Sequence, residues 1–137
     1  MAKLFKFEVV APNRVFYSDE VEMITFDTAN GEMGVMANHM PMLIAHKPCV
    51  LTITKNGEKK FAFISEGFME ITSQKATAIV DDAQWAEEID VEKAMKDKRY
   101  AEEQLINYKE DLQMKAQLQA SIERAASKIK TARTIRQ

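Results

Sequence analysis

Glycine and proline are confined to the first half of this chain. All four glycines and all three prolines lie at or before Gly67, and residues 68–137 contain neither. Because these residues mark turns and interrupt regular elements, the first part should be rich in turns and the last part continuous. A length of 137 residues suits one domain, or one small domain with an appendage. We therefore predict two unlike parts, residues 1–86 and residues 87–137.

The first part has the pattern of short β-strands. Phe5, Phe7 and Val9 alternate with other residues, as expected for a strand with one buried face. Asn56-Gly57 is a strong hairpin signal, because both central residues of that turn need a positive φ. Further strands are predicted at 15–17, 21–26, 49–54, 61–63, 68–72 and 76–80. So many short strands predict an antiparallel sandwich or barrel.

The second part has the pattern of two helices. Asp90 suits an N-cap, and the polar stretch 107–111 suits a reversal of direction. The apolar positions of the two helices are 91, 94, 95, 101 and 105 in the first, and 118, 122, 125, 129 and 132 in the second. The fold class is therefore α+β with segregated parts, an N-terminal antiparallel β-sandwich followed by a C-terminal two-helix hairpin. Two of the five apolar positions of the second helix are alanines, which bury little surface. The free energy of docking of the hairpin should therefore be only a few kcal/mol, about 1.5–3 for each large buried side chain, so that a partner could move it.

The charge balance limits the classes of function. The net charge is −2, but residues 112–137 contain six basic residues and one acidic residue. The basic tail alone favours a nucleic-acid binder, and it lacks the aromatic side chains that stack on bases, so we predict no nucleic-acid partner. No apolar run reaches a membrane-spanning length, and the first residues lack a signal-peptide core. We expect a soluble protein that meets a membrane only through a complex.

The inventory of reactive side chains predicts neither an active site nor a metal site. His39 and His46 are expected in one loop region and lack a metal-ligand spacing. The single cysteine, Cys49, is expected to be a small buried hydrophobe. Methionines 33, 36, 40 and 42 cluster near the histidines, and they fit either a gap-filling core or an adaptable contact surface.

Four strings in order along the chain resemble the epsilon subunit of the rotary F-type ATP synthase. The most informative is GEMGVMANHMPM at 31–42. The others are FKFEVVAP at 5–12, FISEGFMEI at 63–71, and the passage from 76–82 through AEEID at 86–90. Cys49 departs from the family pattern, in which a glycine commonly follows this Lys-Pro.

The resemblance implies a non-catalytic subunit of the central stalk. Its sandwich would bind a gamma subunit and sit on the ring of c subunits, at the cytoplasmic face of the bacterial plasma membrane. The stalk couples ion flow to ATP synthesis. The hairpin of such subunits can rise along gamma towards the catalytic alpha and beta subunits and restrain ATP hydrolysis.

The resemblance also implies roles for individual residues. Glu32 and His39 match the ring-facing loop, although they would equally suit solvated positions beside a tight turn. The basic residues of the second helix would meet an acidic segment of a catalytic beta subunit, although such a run is often only a solvated face. These inhibitory residues are Arg124, Lys128, Lys130, Arg133 and Arg136.

A weaker implication is ATP binding between the two helices, with no cofactor required. Some relatives use an I-D-x-x-R-A segment and two basic residues four apart. The matching positions here are Ile89, Asp90, Lys93, Ala94, Arg124 and Lys128. Lysine replaces arginine twice, which removes bidentate phosphate geometry and predicts weak binding, and Asp90 also suits a plain N-cap. The alternative function is a stand-alone ATP-sensing module.

Overall fold

The computed structural model describes residues 3–135, which form ten strands and two long helices. The strands are β1 Phe5–Ala11, β2 Arg14–Val21, β3 Met23–Thr28, β4 Gly31–Met36, β5 Met42–His46, β6 Cys49–Lys55, β7 Glu58–Ile64, β8 Gly67–Ile71, β9 Lys75–Val80 and β10 Ala83–Trp85. A short 3₁₀ helix, Ala86–Glu88, leads to helices α1, Val91–Asn107, and α2, Leu112–Arg133. The predicted order of a β part followed by a helical hairpin is confirmed.

The strands form two layers that face one another. One layer has the order β10-β7-β6-β3, with β4 on β3, and the other has the order β5-β8-β9-β1-β2. The only β3–β5 pairing in the described chain is Thr28 with His46, which joins the layers. All pairs are antiparallel except β1 with β9, which is parallel, so the predicted antiparallel sandwich contains one parallel pair. Phe7, Phe26 and Leu51 lie between the layers with no exposed surface.

Two glycines are required by the backbone of the sandwich. Asn56 and Gly57 have φ values of 54° and 76°, so the β6–β7 turn has the positive φ angles predicted from the sequence. Gly67 begins β8, where a Cβ atom would lie 2.1 Å from the carbonyl oxygen of Ile79. The close approach of β8 and β9 therefore excludes any side chain at position 67.

Strands β4, β5 and β10 were not predicted, and the first two change the interpretation of the segment 31–46. Gly31 and Gly34 suggested a turn, but Gly31–Met36 forms β4 and pairs along its whole length with β3. Hydrogen bonding to a neighbouring strand here outweighs the low strand propensity of glycine. His39 and His46 do not share a loop, because His46 ends β5 and is buried, whereas His39 lies in the turn before β5. β10 contains three residues, too few for a period-2 pattern.

The hairpin packs on the outer face of the first layer. Asp90 is the N-cap of α1, and its carboxylate accepts a bond from the Lys93 amide at 3.1 Å, as predicted. Phe63 of β7 points away from the sandwich core and forms a second buried cluster with Ile89 and Ala132. Within residues 3–135, no helix combines the length and apolar character needed to cross a bilayer.

Candidate functional site

Glu32 and His39 lie towards opposite ends of β4, Glu32 beside the β3–β4 turn and His39 beyond Met36 in the segment that leads to β5. Glu32 is an exposed residue of β4, opposite Asp27 of β3. His39 is half-buried, and its Nδ1 lies 2.8 Å from the carbonyl oxygen of Met40. Asn38 has a φ of 64° in this turn. The two side chains thus belong to a strand and a turn rather than to one loop.

Most methionines of this segment are on the surface. Met36, Met40 and Met42 are exposed, Met40 to 73%, and only Met33 packs against the core. The interpretation of these residues as core was therefore wrong for three of the four. These three flexible side chains lie near His39 in sequence, which makes the surface around that residue suited to contact with another molecule.

A row of apolar residues crosses the outer face of the second layer. Strand register places Ala45 opposite Phe68, Phe68 opposite Ile79, Ile79 opposite Val10, and Val10 opposite Val15. Phe68, Ile79 and Val15 are each about half exposed, at 52%, 48% and 56%. A contiguous exposed apolar surface of this kind is typical of a contact site. We call these five residues the apolar row.

Hydrogen bonds and ion pairs join α2 to the sandwich. Arg124 binds Glu66 through two bonds, Nε to Oε1 at 2.9 Å and Nη2 to Oε2 at 2.7 Å. Ser127 donates to the carbonyl oxygen of Pro48 at 2.9 Å. Two longer pairs follow along the helix, Lys128 with Asp82 at 3.7 Å and Lys130 with Asp27 at 4.0 Å. Three basic residues predicted to be inhibitory are therefore paired with acids of the sandwich in this state.

Glu66 occupies a rigid corner between β7 and β8. Ser65 is buried, and its hydroxyl accepts bonds from the amides of Asp81 and Asp82, each at 3.0 Å. The Ser65 amide donates to the carbonyl oxygen of Asp82 at 2.9 Å. The guanidinium of Arg124 lowers the pKa of Glu66 through its hydrogen bonds, and Glu66 raises the pKa of Arg124.

The remaining inhibitory residues are placed differently. Arg133 is exposed and lines an open groove of about 620 Å³ between the helices, together with Lys98, Arg99 and Lys130. Arg136 lies outside the described residues. Of the described inhibitory residues, Arg124 and Lys128 thus contact the sandwich, Arg133 lines the groove, and Lys130 does both.

The residues that resemble a nucleotide site are brought together. Ile89, Asp90, Lys93, Ala94 and Lys128 line one cavity of about 160 Å³, and Arg124 lines an adjoining one with Lys128. Ligand cavities are usually about 300 Å³ or more, so the first is too small for a nucleotide in this state. Several of the polar groups are also occupied, since Lys93 pairs with Asp97 at 3.2 Å and Arg124 binds Glu66.

The burial of Cys49 was predicted from the sequence, whereas the apolar row, which depends on strand register, was not. Cys49 is buried at the start of β6, and burial raises the pKa of its thiol to about 11, which suits the predicted role of a small hydrophobe. The apolar row was missed because its members come from five strands. A partial indication existed, since Val9-Val10 and Phe68-Met69 put apolar residues on both faces of a strand.

The chain is similar to proteins of one family. A family profile described as "ATP synthase, Delta/Epsilon chain, beta-sandwich domain" matches residues 4–86. A protein of Caldanaerobacter subterraneus subsp. tengcongensis named "ATP synthase epsilon chain" is 38% identical over 133 residues, 96% of each chain. A protein of the same name from Alkaliphilus oremlandii is 43% identical over 105 residues, 77% of this chain and 78% of the relative.

Solved structures share the fold. A chain in the cryo-EM structure of the Euglena gracilis mitochondrial ATP synthase, OSCP/F1/c-ring, superposes with a TM-score of 0.78. It is 24% identical in sequence, and the match covers 90% of this chain and 78% of that one. The arrangement of sandwich and hairpin is therefore shared with that chain. Together, the profile match over the sandwich and the relatives that extend through the hairpin show that this chain belongs to the family of ATP synthase epsilon chains.

Proposed function

We propose that this chain is a central-stalk subunit of a rotary ATP synthase that couples ion translocation to ATP synthesis without catalysing a reaction itself. In this proposal the apolar row binds a gamma subunit, and Glu32 and His39, towards opposite ends of β4, contact the c ring. The chain then lies at the cytoplasmic face of the bacterial plasma membrane as a peripheral part of the complex.

The apolar row is the observation that carries this proposal. A monomeric soluble protein would bury or interrupt side chains such as Phe68 and Ile79, because their exposure to water is unfavourable by about 25 cal/mol for each Å² of apolar surface. The row lies beside a depression of about 710 Å³ that Pro12, Phe68 and Ile79 help to line. A large apolar partner surface, as a rotor subunit would offer, suits this face.

The position of the hairpin supports a regulatory role. α2 covers the outer face of β6 and β7, in the layer opposite the apolar row. A gamma subunit bound to the row therefore leaves the hairpin free to dock or to leave. Once released, α2 would present Arg124, Lys128 and Lys130 to an acidic segment of a catalytic subunit, where opposite charge favours association.

The test replaces apolar residues of the row by charge in the full chain. Phe68→Glu and Ile79→Glu should each abolish co-purification with gamma and the catalytic subunits, because a carboxylate would be desolvated in an apolar interface. Thr77→Lys is the control for a charge on this face, since Thr77 lies on the same strand and face as Ile79, outside the row, and opposite Glu8 and Glu70, which favour a cation there. Its complex should assemble normally.

Two results would oppose this assignment. Normal assembly of both Glu variants would show that gamma binds elsewhere. Failure of the Thr77→Lys variant as well would show that any charge on this sheet disturbs the fold, which circular dichroism of the purified variants would reveal.

A further inference from the structure

His46 is the one residue in the described chain with a buried side-chain polar atom that has no hydrogen-bond partner. The residue is 5% exposed and ends β5, at the single pairing that joins the two layers. Its Nδ1 lies 3.2 Å from the carbonyl oxygen of Lys47, which assigns the proton of the neutral ring to Nδ1. Nε2 is then a bare acceptor without a partner.

Glu66 connects this buried histidine to the hairpin. Both side chains line the depression beside the apolar row, and the charge of Glu66 acts on His46. On its other side, Glu66 has both carboxylate oxygens bound by Arg124 of α2. A single carboxylate therefore lies between the histidine of the sandwich and the arginine of the hairpin.

Three other charged residues lie near His46. Lys47 follows it in the chain and is exposed, and Asp81 lines the same depression. Asp27 is the residue before Thr28, the strand partner of His46, and it pairs with Lys130. Phe26 meets the imidazole edge to face, with ring centroids 5.9 Å apart. Burial is the main cause that keeps the pKa of His46 below its usual value.

We propose that His46, Glu66 and Arg124 form a proton-sensitive latch, in which protonation of His46 weakens the hold of the hairpin on the sandwich. Protonation places a second N–H donor on Nε2, and in the docked state the nearby carboxylate already uses both oxygens for Arg124. The imidazolium and the guanidinium then share the charge of one carboxylate and repel one another, so each weakens the other's attraction to Glu66. Release of the hairpin frees Glu66 to accept from Nε2.

The direction of the pH effect follows from this competition. In the docked state Arg124 compensates the charge of Glu66, and in the released state that charge is uncompensated, so the pKa of His46 is higher after release. Release therefore takes up a proton, and docking is strongest above the pKa of the released state and weakens as the pH falls through it. Each pKa unit of difference between the states changes the docking constant by about tenfold. Glu66 itself stays ionised in this range because Arg124 lowers its pKa.

The first experiment measures docking of the full chain against pH. Fluorescent labels at Ser73→Cys and Gln119→Cys, both exposed positions, report the distance between sandwich and hairpin. Cys49 is 2% exposed and remains unlabelled. Between about pH 8 and pH 5.5 we expect the docking constant to fall by about three- to tenfold. His46→Gln should abolish this dependence, and His39→Gln, which changes the other histidine, should preserve it.

A second experiment keeps the proposal testable if His46→Gln does not fold. The pKa of His46 is read from the NMR signals of its ring, identified by comparison with the His39→Gln variant. Arg124→Gln should raise this pKa and Glu66→Gln should lower it. A pKa that is unchanged in both variants, or a pH dependence that survives in His46→Gln, would overturn the latch. These measurements use the isolated chain, so they do not depend on whether gamma binds the apolar row.

Discussion

Ala132→Leu should release the hairpin from the sandwich while leaving both parts folded. Ala132 has no exposed surface and fills the space between α2, Phe63 and Ile89. A leucine at this position has no room unless the helix moves outward. Leucine is a good helix former, so α2 itself should remain helical.

The expected magnitude comes from weighing this strain against what holds the hairpin. Overpacking a filled site costs about 1–3 kcal/mol. The two-pronged pair of Arg124 with Glu66 has side chains that are 42% and 36% exposed, so solvent limits its contribution to about 1 kcal/mol or less. Burial of Phe63 and Ile89 contributes about 1.5–3 kcal/mol each as an upper estimate. The substitution should therefore lower the docking constant by about 5- to 150-fold.

The assay combines a distance with a control for folding. Labels at Ser73→Cys and Gln119→Cys report docking, and the fluorescence of Trp85 reports the sandwich, because its indole packs against Phe16 at a centroid distance of 4.6 Å. Ala126→Leu is the matched control. It makes the same change on the same helix, but Ala126 lines the open groove between α1 and α2 rather than the contact with β7.

We expect Ala132→Leu to have a released hairpin and an unchanged Trp85 signal. We expect the hairpin to remain docked in Ala126→Leu. An Ala132→Leu variant that stays docked would refute the close packing of α2 on Phe63. Equal release by both variants would mean that leucine disturbs the hairpin itself.

Three further predictions follow from the proposed function and the resemblance. Replacing Glu32 and His39 together by alanine should weaken coupling between ion flow and ATP turnover in membrane vesicles, and unchanged coupling would remove their ring-facing role. The double variant Lys93→Arg, Lys128→Arg should bind ATP more tightly than the natural chain, since arginine restores bidentate contact with phosphate, and calorimetry showing no heat for either at millimolar ATP would exclude the site. ATP hydrolysis by the complex should rise when the chain is stopped after residue 88, and inhibition by the full chain should fade as salt is added; salt-independent inhibition would indicate apolar contact instead.

Local rules were enough for the sequence to predict the order and type of most elements. Alternation at Phe5, Phe7 and Val9, the Asn56-Gly57 turn and the Asp90 cap each depend on residues within a few positions of one another. The prediction was wrong for the segment 31–46 because local rules do not include partners from distant parts of the chain. Its glycines and methionines have weak strand propensity, and β4 and β5 form because distant strands supply hydrogen-bonding partners. Because β5 was not predicted, His46 was expected in a loop with His39, although it ends that strand and is buried.

The functional sites also differ in whether local sequence or tertiary contacts determine them. The sequence by itself determined the segregated architecture, the family resemblance and the basic character of α2, because composition, periodicity and motif order are properties of neighbouring residues. Only the tertiary structure decided that the basic residues face Glu66, Asp82 and Asp27, which lie between 46 and 103 residues earlier in the chain. It likewise aligned five strands into the apolar row and buried His46 beside Glu66. Register and packing set these contacts, and they depend on the free energy of the whole fold rather than on any local pattern.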